Sequence, residues 1–407
     1  MNALPDLDVE AVRARFPALA NDIAYLDGPG GSQVPGEVVD AVTACMVAAN
    51  ANLGGAFETS RAADAIVAAG HEAAADLVGG RPQEIAFGPS MSALNYLLVH
   101  AVMRTLEPGD RVLVTTLDHD ANVSPWLTVA PEHGVEVDQV AVTPGDLAID
   151  LDDLEAKLSP RTRVVAFTLA SNACGTVPDA ARIGEMAHAA GALAWADGVH
   201  AAPHRRLDAL GLDLDVLLCS PYKFFGPHLG VAWAREDLLA SWPADRVRPS
   251  EEHPPGHRFE LGTLSHEAIA GTTAAIDYIA SLGEGADRRE RLDDAFARIR
   301  AHEEALAGRW LGGVGSIRGV RQLGIADPER VAERTPTFCV TVDGWSPRPL
   351  AAALGERGIQ AWDGNYYALE LMRHLGLEEG ALRFGFLHYT TAGEVDRALE
   401  ALDALAA

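Results

Sequence analysis

Polar side chains follow four of the predicted strands, at the point where each strand ends. These segments are Asp118-His119, Ser171-Asn172, Asp197 and Ser220-Pro221-Tyr222-Lys223. Carboxylate, imidazole, amide and amine groups together can move protons and form covalent bonds to a carbonyl group. Because ligands of open parallel sheets bind outside the carboxyl ends of the strands, we expect the four segments to build a single site.

Lys223 and Asp197 carry the most specific chemistry of this set. Lys223 lies in the apolar segment 222–227, which disfavours the charged amine, lowers its pKa and suits a Schiff base with an aldehyde. Asp197 is a lone carboxylate at the end of a buried strand, where a protonated pyridine nitrogen is a fitting partner. The spacing alone also allows a buried structural salt bridge between the two residues.

A candidate anion site lies between a predicted strand and a predicted helix, at residues 87–93. Backbone N–H groups at the helix start and the hydroxyls of Ser90 and Ser92 form a cradle suited to a phosphate, although a plain serine N-cap explains the same residues. The glycine-rich segment 28–33 is either a tight turn or a surface that leaves room for a ligand. Gln33 stands where a dinucleotide fingerprint has its third glycine.

Histidines offer the strongest argument for a metal site. His119 lies between two aspartates, and His200 lies near His204. A metal site needs about three well-placed ligands, and no HxxE-type or Cys/His spacing supplies them. We therefore expect no metal.

Short apolar segments alternate with helical patterns through the middle of the chain, which favours βαβ units and a mostly parallel sheet. Strands are predicted at residues 84–87, 111–115, 164–169, 192–196, 216–219 and 231–234, and helices at 92–105 and 180–190. After residue 286 the pattern changes to a long charged helix (288–311), strands at 337–342 and 381–386, and helices at 348–357 and 392–405. The predicted fold class is α/β, with a large domain (21–286) and a smaller α+β domain (287–407) that segment 1–20 joins.

Composition limits the classes of partner. The net charge of −26 over 407 residues opposes binding to nucleic acid or an anionic membrane. The first residues lack the pattern of a signal peptide, and no apolar stretch reaches the roughly 18 residues of a membrane span. Four scattered cysteines, Cys45, Cys174, Cys219 and Cys339, form no metal-ligand spacing. We expect a cytoplasmic protein with thiols that serve as small buried side chains.

Taken in order, these motifs resemble the cysteine desulfurase-like branch of the class V aminotransferases, within the fold-type I pyridoxal-phosphate (PLP) enzymes. The resemblance extends from Ala24-Tyr25-Leu26-Asp27 to the C-terminal domain. Ser220-Pro221-Tyr222-Lys223 is similar to the family's Ser-x-His-Lys segment, which implies that Lys223 forms the internal aldimine. Asp197-Gly198-Val199-His200 is similar to the segment whose aspartate binds the pyridine nitrogen and whose fourth residue faces the phenolic oxygen.

The resemblance implies further cofactor contacts. Asp118-His119-Asp120-Ala121-Asn122 resembles the Glu-His-His-x-Asn run whose first histidine stacks on the cofactor ring, here His119. Asn172 matches an asparagine beside the cofactor. The implied phosphate contacts are Ser90, Met91, Ser92, Ser220, the Tyr222 hydroxyl and Thr263. Thr263 lies in a segment similar to Phe-Glu-x-Gly-Thr, which reaches the phosphate of the neighbouring subunit, so a homodimer with shared active sites is implied.

The resemblance also implies where a substrate binds. Arg383 matches the arginine that holds the α-carboxylate, a task that suits a planar guanidinium. Asn172 and Gly30 lie on the substrate side of the implied site. Lys223 removes the α-proton after a small amino acid displaces it into an external aldimine, and His119 stacks on the ring and relays protons.

Three departures from the family pattern bear on the reaction. His200 replaces the usual Gln, and Tyr222 replaces the His before the lysine. Most importantly, segment 362–368, where desulfurases carry a catalytic cysteine, contains none. The first expectation is therefore C–S bond cleavage without the loop persulfide. Alternatives are an aminotransferase, an amino-acid epimerase and a non-catalytic PLP-binding protein.

Overall fold

The structure, a computed structural model, describes residues 7–250 and 252–406. Its strands are β1 (Ala24–Tyr25), β2 (Ile85–Gly88), β3 (Arg111–Thr115), β4 (Glu136–Val140), β5 (Thr162–Thr168), β6 (Leu193–Asp197), β7 (Val216–Cys219), β8 (Gly230–Ala234), β9 (Val320–Leu323), β10 (Thr337–Val342), β11 (Ile359–Gln360), β12 (Trp362–Gly364) and β13 (Ala381–Gly385). Its helices are α1 (Val9–Arg13), α2 (Gly36–Ala48), α3 (Glu58–Val78), α4 (Met91–Met103), α5 (Ser124–Val129), α6 (Leu151–Lys157), α7 (Ala180–Ala189), α8 (Glu236–Ser241), α9 (His266–Ala280), α10 (Arg288–Val314), α11 (Pro347–Gly355), α12 (Leu369–His374) and α13 (Ala392–Ala406).

A seven-stranded sheet forms the centre of the larger part of the molecule. Its strand order is β2-β8-β7-β6-β5-β3-β4, and β8 runs antiparallel to both of its neighbours while the other pairs are parallel. Alternate residues of β5 pack on opposite faces, with Val165 and Phe167 in one core and Val164 and Ala166 in the other. Because both faces are covered, the central strands are apolar except at their ends, as in other parallel sheets.

The smaller part of the molecule is built on a four-stranded antiparallel sheet of order β12-β13-β10-β9. The indole of Trp310 on α10 packs against the rings of Phe338 on β10 and of Phe384 and Phe386 on or beside β13. The N-terminal segment contacts both parts of the molecule: Arg13 forms an ion pair of 3.0 Å with Glu394 on α13, and the Phe16 ring packs against Phe225 and Tyr278.

The predicted α/β class and mostly parallel sheet are confirmed by this architecture. The predicted strands and helices are present, with ends displaced by a few residues at most. The prediction omitted the edge strand β4, because its sequence Glu-Val-Asp-Gln-Val is largely polar, and it omitted the helices α2, α3 and α9. The domain boundary at residue 286 remains a prediction, and residues 1–6 of the N-terminal segment lie outside the described residues. No helix in the described ranges combines the length and apolar composition needed to cross a bilayer.

Gly230 at the start of β8 allows the backbone before α4 to pass close to the sheet. A Cβ at this position would overlap the backbone of Ser90 and Met91. We expect Gly230→Ala to lower the free energy of unfolding by about 1–3 kcal/mol, because backbone atoms cannot move aside cheaply. The control is Gly312→Ala on α10, where an added Cβ meets open space. Gly312→Ala should raise the free energy of unfolding by about 0.5–1 kcal/mol, because alanine favours a helix more than glycine does. Urea titration measures both variants, and equal effects at the two positions would contradict the close approach of the backbone at Gly230.

Candidate active site

A cavity of about 580 Å³ opens where the carboxyl ends of the central strands meet the small sheet. It brings together nearly all of the residues predicted for the site, namely Gly30, Ser90, Met91, Ser92, His119, Asn172, Asp197, His200, Ser220, Tyr222, Lys223 and Arg383. The exception is Thr263, which is exposed and lines a different cavity with Leu53 and Glu260. The expectation of one site built from four strand ends therefore agrees with the geometry.

Lys223 ends a short 3-10 turn, Pro221–Lys223, that follows β7. Its amine donates a hydrogen bond to the carbonyl oxygen of Pro29 and lies 4.7 Å from the centre of the Tyr222 ring. Burial and the positive charge of Arg383 lower the pKa of Lys223 to about 7, although Asp197 opposes the shift. A substantial fraction of the amine is therefore neutral, and nucleophilic, at neutral pH.

The chain contains two lysines, and only one of them lines this cavity. The Lys157 amine lies elsewhere, where it donates to the carbonyl oxygen of Gln139 at 2.7 Å and to Asp153 at 2.6 Å. Lys223 is thus the single amine side chain in the cavity. A count of lysines in the sequence would have supported its assignment, and the sequence reasoning did not use it.

Asp197 is the last residue of β6 and is almost completely buried. One carboxylate oxygen accepts a hydrogen bond of 2.8 Å from the backbone N–H of Val199. Burial raises the pKa of Asp197 to about 6, while that hydrogen bond and the charge of Lys223 lower it. The carboxylate therefore favours a cationic or hydrogen-bond-donating partner inside the cavity.

Two imidazoles in the cavity are neutral. Burial, with the charges of Lys223 and Arg383, lowers the pKa of His119 to about 4. Its Nδ1 accepts a hydrogen bond of 3.0 Å from the N–H of Ala121, so the proton of the neutral ring is on Nε2. Burial also lowers the pKa of His200, whose Nε2 lies 3.0 Å from the Thr337 hydroxyl.

Arg383 enters the cavity from β13 and is buried. Its Nη1 donates to the carbonyl oxygen of Asn172 at 2.7 Å, and its guanidinium lies 4.3 Å from the centre of the Tyr366 ring. Burial lowers the pKa of Arg383 to about 10, so it is a cation at neutral pH. Arg383 Nε and Asn172 Oδ1 are buried without hydrogen-bond partners among the described residues, so both are available to a ligand.

Segment 362–368 forms one wall of the cavity in an unusual backbone conformation. Tyr366 and Tyr367 have φ angles of +55° and +57°. Residues other than glycine rarely adopt this left-handed backbone region. The carbonyl of Tyr366 accepts from the Asn172 side chain at 2.8 Å, and that of Tyr367 accepts from the N–H of Asp120 at 2.7 Å. These contacts hold a strained segment in place, and such strain is frequent at functional sites.

Asp27 contributes to the electrostatics of the site and was not predicted as a site residue. Burial raises its pKa to about 6, while its backbone hydrogen bond and the positive charges of Arg383 and Lys223 lower it. The available signal was its position immediately before the glycine-rich segment. Trp362 was also not singled out, although it lines the cavity.

The four cysteines are buried and free, and none lines the cavity. Burial raises the pKa values of Cys45, Cys219 and Cys339, to about 12 for Cys339, so these thiols are protonated at neutral pH. The Cys174 sulfur lies 3.4 Å from the Thr176 hydroxyl.

The histidines considered as metal ligands have protein partners. His204 Nδ1 lies 2.8 Å from a carboxylate oxygen of Glu303, and both side chains are buried. A group of three potential ligands, His71, His257 and Glu260, occurs in the described part of the chain, outside the cavity just described. His71 Nε2 and Glu260 Oε1 lie 2.9 Å apart there.

The sheet topology and the lysine-containing cavity define a fold-type I PLP-dependent enzyme. The chain belongs to the aminotransferase class-V family, which matches residues 24–398, and specifically to its cysteine desulfurase-like branch.

Several known proteins are similar over nearly the full length. The aminotransferase-like protein FGM3 of Gibberella zeae is 32% identical, over 97% of this chain and 98% of that protein. A probable cysteine desulfurase of Pseudomonas aeruginosa is 33% identical, over 96% of each chain. The apo structure of the cysteine desulfurase of Thermococcus onnurineus superposes with a TM-score of 0.89 at 25% identity, over 99% of this chain and 98% of that one.

PLP is the cofactor of this enzyme, and the side chains of the cavity fit it. An aldehyde needs an amine with a lowered pKa, which Lys223 supplies. A pyridine nitrogen needs a buried carboxylate, and Asp197 is one. A phosphate needs N–H and hydroxyl donors, and the start of α4 with Ser90, Ser92 and Ser220 offers them beside the same cavity.

The lowered pKa of Lys223 predicts how fast its amine reacts at different pH values. In the cofactor-free protein, the labelling rate of Lys223 by an acylating reagent should rise with pH through an inflection near 7, well below the ordinary 10.5, because only the neutral amine reacts. The measurement is mass spectrometry of the two lysine-containing peptides after brief labelling. An inflection close to the ordinary value would contradict a desolvated amine.

Proposed function

We propose that this enzyme binds a small amino acid through Arg383 and cleaves a C–S bond without a persulfide on the loop. The observation that carries the proposal is that Lys223, Asp197 and Arg383 meet in one cavity to which no described cysteine contributes. The similarity to proteins named cysteine desulfurases supports sulfur-containing substrates. The amine supplies a nucleophile and base, and the guanidinium supplies the carboxylate site.

The residues proposed to hold the cofactor are the hydrogen-bond donors and charged side chains that line the cavity. Ser90, Ser92, Ser220 and the backbone N–H of Met91 bind the phosphate, and the Tyr222 hydroxyl is within the same cavity. Asp197 would pair with the ring nitrogen, His119 would pack against the ring, and His200 and Asn172 would contact its polar substituents. When bound, PLP supplies an electron sink for the carbanion at the substrate Cα.

The protein groups then act on the substrate. Arg383 binds the α-carboxylate, because its Nε has no hydrogen-bond partner among the described residues and can donate to a carboxylate oxygen. The unpaired Oδ1 of Asn172 is an acceptor and is left for a donor such as the substrate amino group. The neutral amine of Lys223 removes the α-proton. His119 donates its Nε2 proton or relays one, since its Nδ1 is engaged with Ala121. Gly30 lines the cavity and gives room to the Trp362 indole, because a side chain at this position would overlap that ring.

The proposed active unit is a homodimer in which Thr263 contributes to the cofactor phosphate of the second copy. Thr263 is exposed and outside the cavity of its own chain. Leu261, which is near it in sequence, and Leu53, which lines the second cavity, are exposed as well. A second copy would cover them, in keeping with the rule that extended apolar patches mark interfaces.

A class V aminotransferase is the second candidate, because one relative of equal similarity is named aminotransferase-like. Incubation with a panel of amino acids, with and without a keto-acid acceptor, separates the reactions. Cleavage yields a thiol or sulfide with pyruvate, transamination converts the acceptor into an amino acid, and epimerisation inverts Cα. A cytoplasmic location is proposed as well, because the four thiols are free.

The role of Arg383 is tested with Arg383→Lys, which keeps the charge but loses the planar fork. Affinity for an amino-acid ligand should fall by about 1.5–3 kcal/mol, the contribution of a charge-assisted hydrogen bond. The measurement is a titration of the cofactor spectrum. Arg348→Lys, at an arginine that is 89% exposed, is the matched control and should leave affinity unchanged. Unchanged affinity in Arg383→Lys would move the carboxylate site elsewhere.

Direct release of sulfur is tested by replacing Cys45, Cys174, Cys219 and Cys339 with Ala or Ser. Most of the activity should remain, because all four thiols are buried outside the cavity and the pKa values of Cys45, Cys219 and Cys339 are raised. Thermal unfolding and cofactor content are measured in parallel. A single variant that stays folded and loaded but loses activity, or a persulfide trapped on Cys174 or Cys339, would establish a persulfide route instead.

A further inference from the structure

Two large aromatic side chains, Trp362 and Tyr367, lie at the solvent side of the cavity, and we refer to them as the aromatic rim. Both line the cavity, yet Trp362 is 48% exposed and Tyr367 is 69% exposed. Aromatic side chains are frequent in the walls of cavities that bind small ligands. The cofactor and carboxylate sites described above use neither of these rings.

Trp362 lies directly beside the proposed carboxylate site. It is paired with Arg383 across β12 and β13, so the two side chains are on the same face of the small sheet. Its indole packs over Gly30, where an added Cβ would overlap the ring. Gly30 follows Pro29, whose carbonyl accepts the hydrogen bond from Lys223. A ligand held between Arg383 and Lys223 therefore has the indole as a neighbour.

Tyr367 completes the rim on the side of His119. The two rings are stacked, with centroids 5.4 Å apart and planes inclined by 30°. Its backbone is fixed by the hydrogen bonds of segment 362–368 to Asn172 and Asp120. The rim is therefore a preformed surface that needs no rearrangement to receive a flat or apolar group.

We propose that the substrates are S-conjugates of cysteine whose sulfur carries a bulky apolar or aromatic group, and that Trp362 and Tyr367 bind this group. The inference rests on the proposed function. It rests on two observations. The cavity has no thiol that can accept sulfur, so sulfur leaves directly, as sulfide from free cysteine or as a thiol from an S-conjugate, and the rim offers aromatic faces to the substituent of an S-conjugate. Aromatic rings attract both thioether sulfur and other rings.

The reaction balances without an oxidant or reductant. The Cα–H and Cβ–S bonds break, Lys223 takes the α-proton, and the thiolate leaves with the Cβ–S electron pair and gains a proton. The three-carbon product is aminoacrylate, whose imine tautomer adds water. The sum is S-conjugate plus water giving thiol, pyruvate and ammonium.

Binding is tested on the holoenzyme with carboxylates that lack the amino group and so cannot react. By calorimetry, benzylthiopropanoate should bind at least about tenfold more tightly than methylthiopropanoate, because only the former reaches the rim. Trp362→Ala and Tyr367→Ala should remove most of this preference, while Trp362→Phe and Tyr367→Phe retain it. Leu210→Ala, at an exposed apolar residue outside the cavity, is the matched control and should change nothing. Equal binding of the two carboxylates, or an unchanged preference in both alanine variants, would overturn the proposal.

Measurements of turnover distinguish a failure of the proposed substrate class from a failure of the proposed C–S bond cleavage. The wild-type enzyme should release thiol and pyruvate from S-benzylcysteine with a kcat/KM at least about tenfold above that for S-methylcysteine. Cleavage of both with equal kcat/KM would overturn the substrate class and leave C–S cleavage standing. Tight binding of benzylthiopropanoate without release of thiol from any S-conjugate would overturn C–S cleavage itself, and the S-conjugate assignment with it.

Discussion

The burial of the Lys223 amine is the constraint on which the rest of the site depends. Removal from water makes the charged form costly and lowers the pKa of Lys223 to about 7. Arg383, which lines the same cavity, lowers that pKa further, and two carboxylates oppose the shift, Asp197 in the cavity and Asp27 outside its lining. A balance of two positive and two negative side chains keeps the cavity near neutrality, so that an amine can be reactive without a large penalty in stability.

That balance requires contact between the two parts of the molecule, because the charges come from both. Lys223 and Asp197 follow strands of the large sheet, whereas Arg383 lies on the small sheet. The connection is made by Asn172, whose carbonyl accepts from Arg383 and whose amide donates to Tyr366. The proposed carboxylate site therefore depends on contact between the small sheet and the ends of the central strands.

Site residues could be predicted from the sequence where a reactive side chain directly follows a predicted strand. His119, Asp197 and Lys223 could be placed in one site because parallel strands end at the same edge. Trp362 and Asp27 could not, because their proximity to Arg383 depends on cross-strand register and on the docking of the small sheet, neither of which has a local signal. The polar edge strand β4 was missed for a related reason: edge strands lack the continuous apolar pattern of central strands.

Segment 362–368 has no cysteine and has aromatic rings, and these two features are physically connected. A thiol that accepts sulfur and passes it on must be ionisable and mobile. In segment 362–368, two successive residues in the left-handed region are held by side-chain and backbone hydrogen bonds, and Tyr366 is further held by its hydroxyl bond to Ala381. A segment fixed in this way is poorly suited to carry sulfur away, but it holds Tyr367 against His119 and Trp362 against Gly30 in constant positions. The rigidity that disfavours a sulfur carrier thus provides what selective binding of a substrate side chain requires.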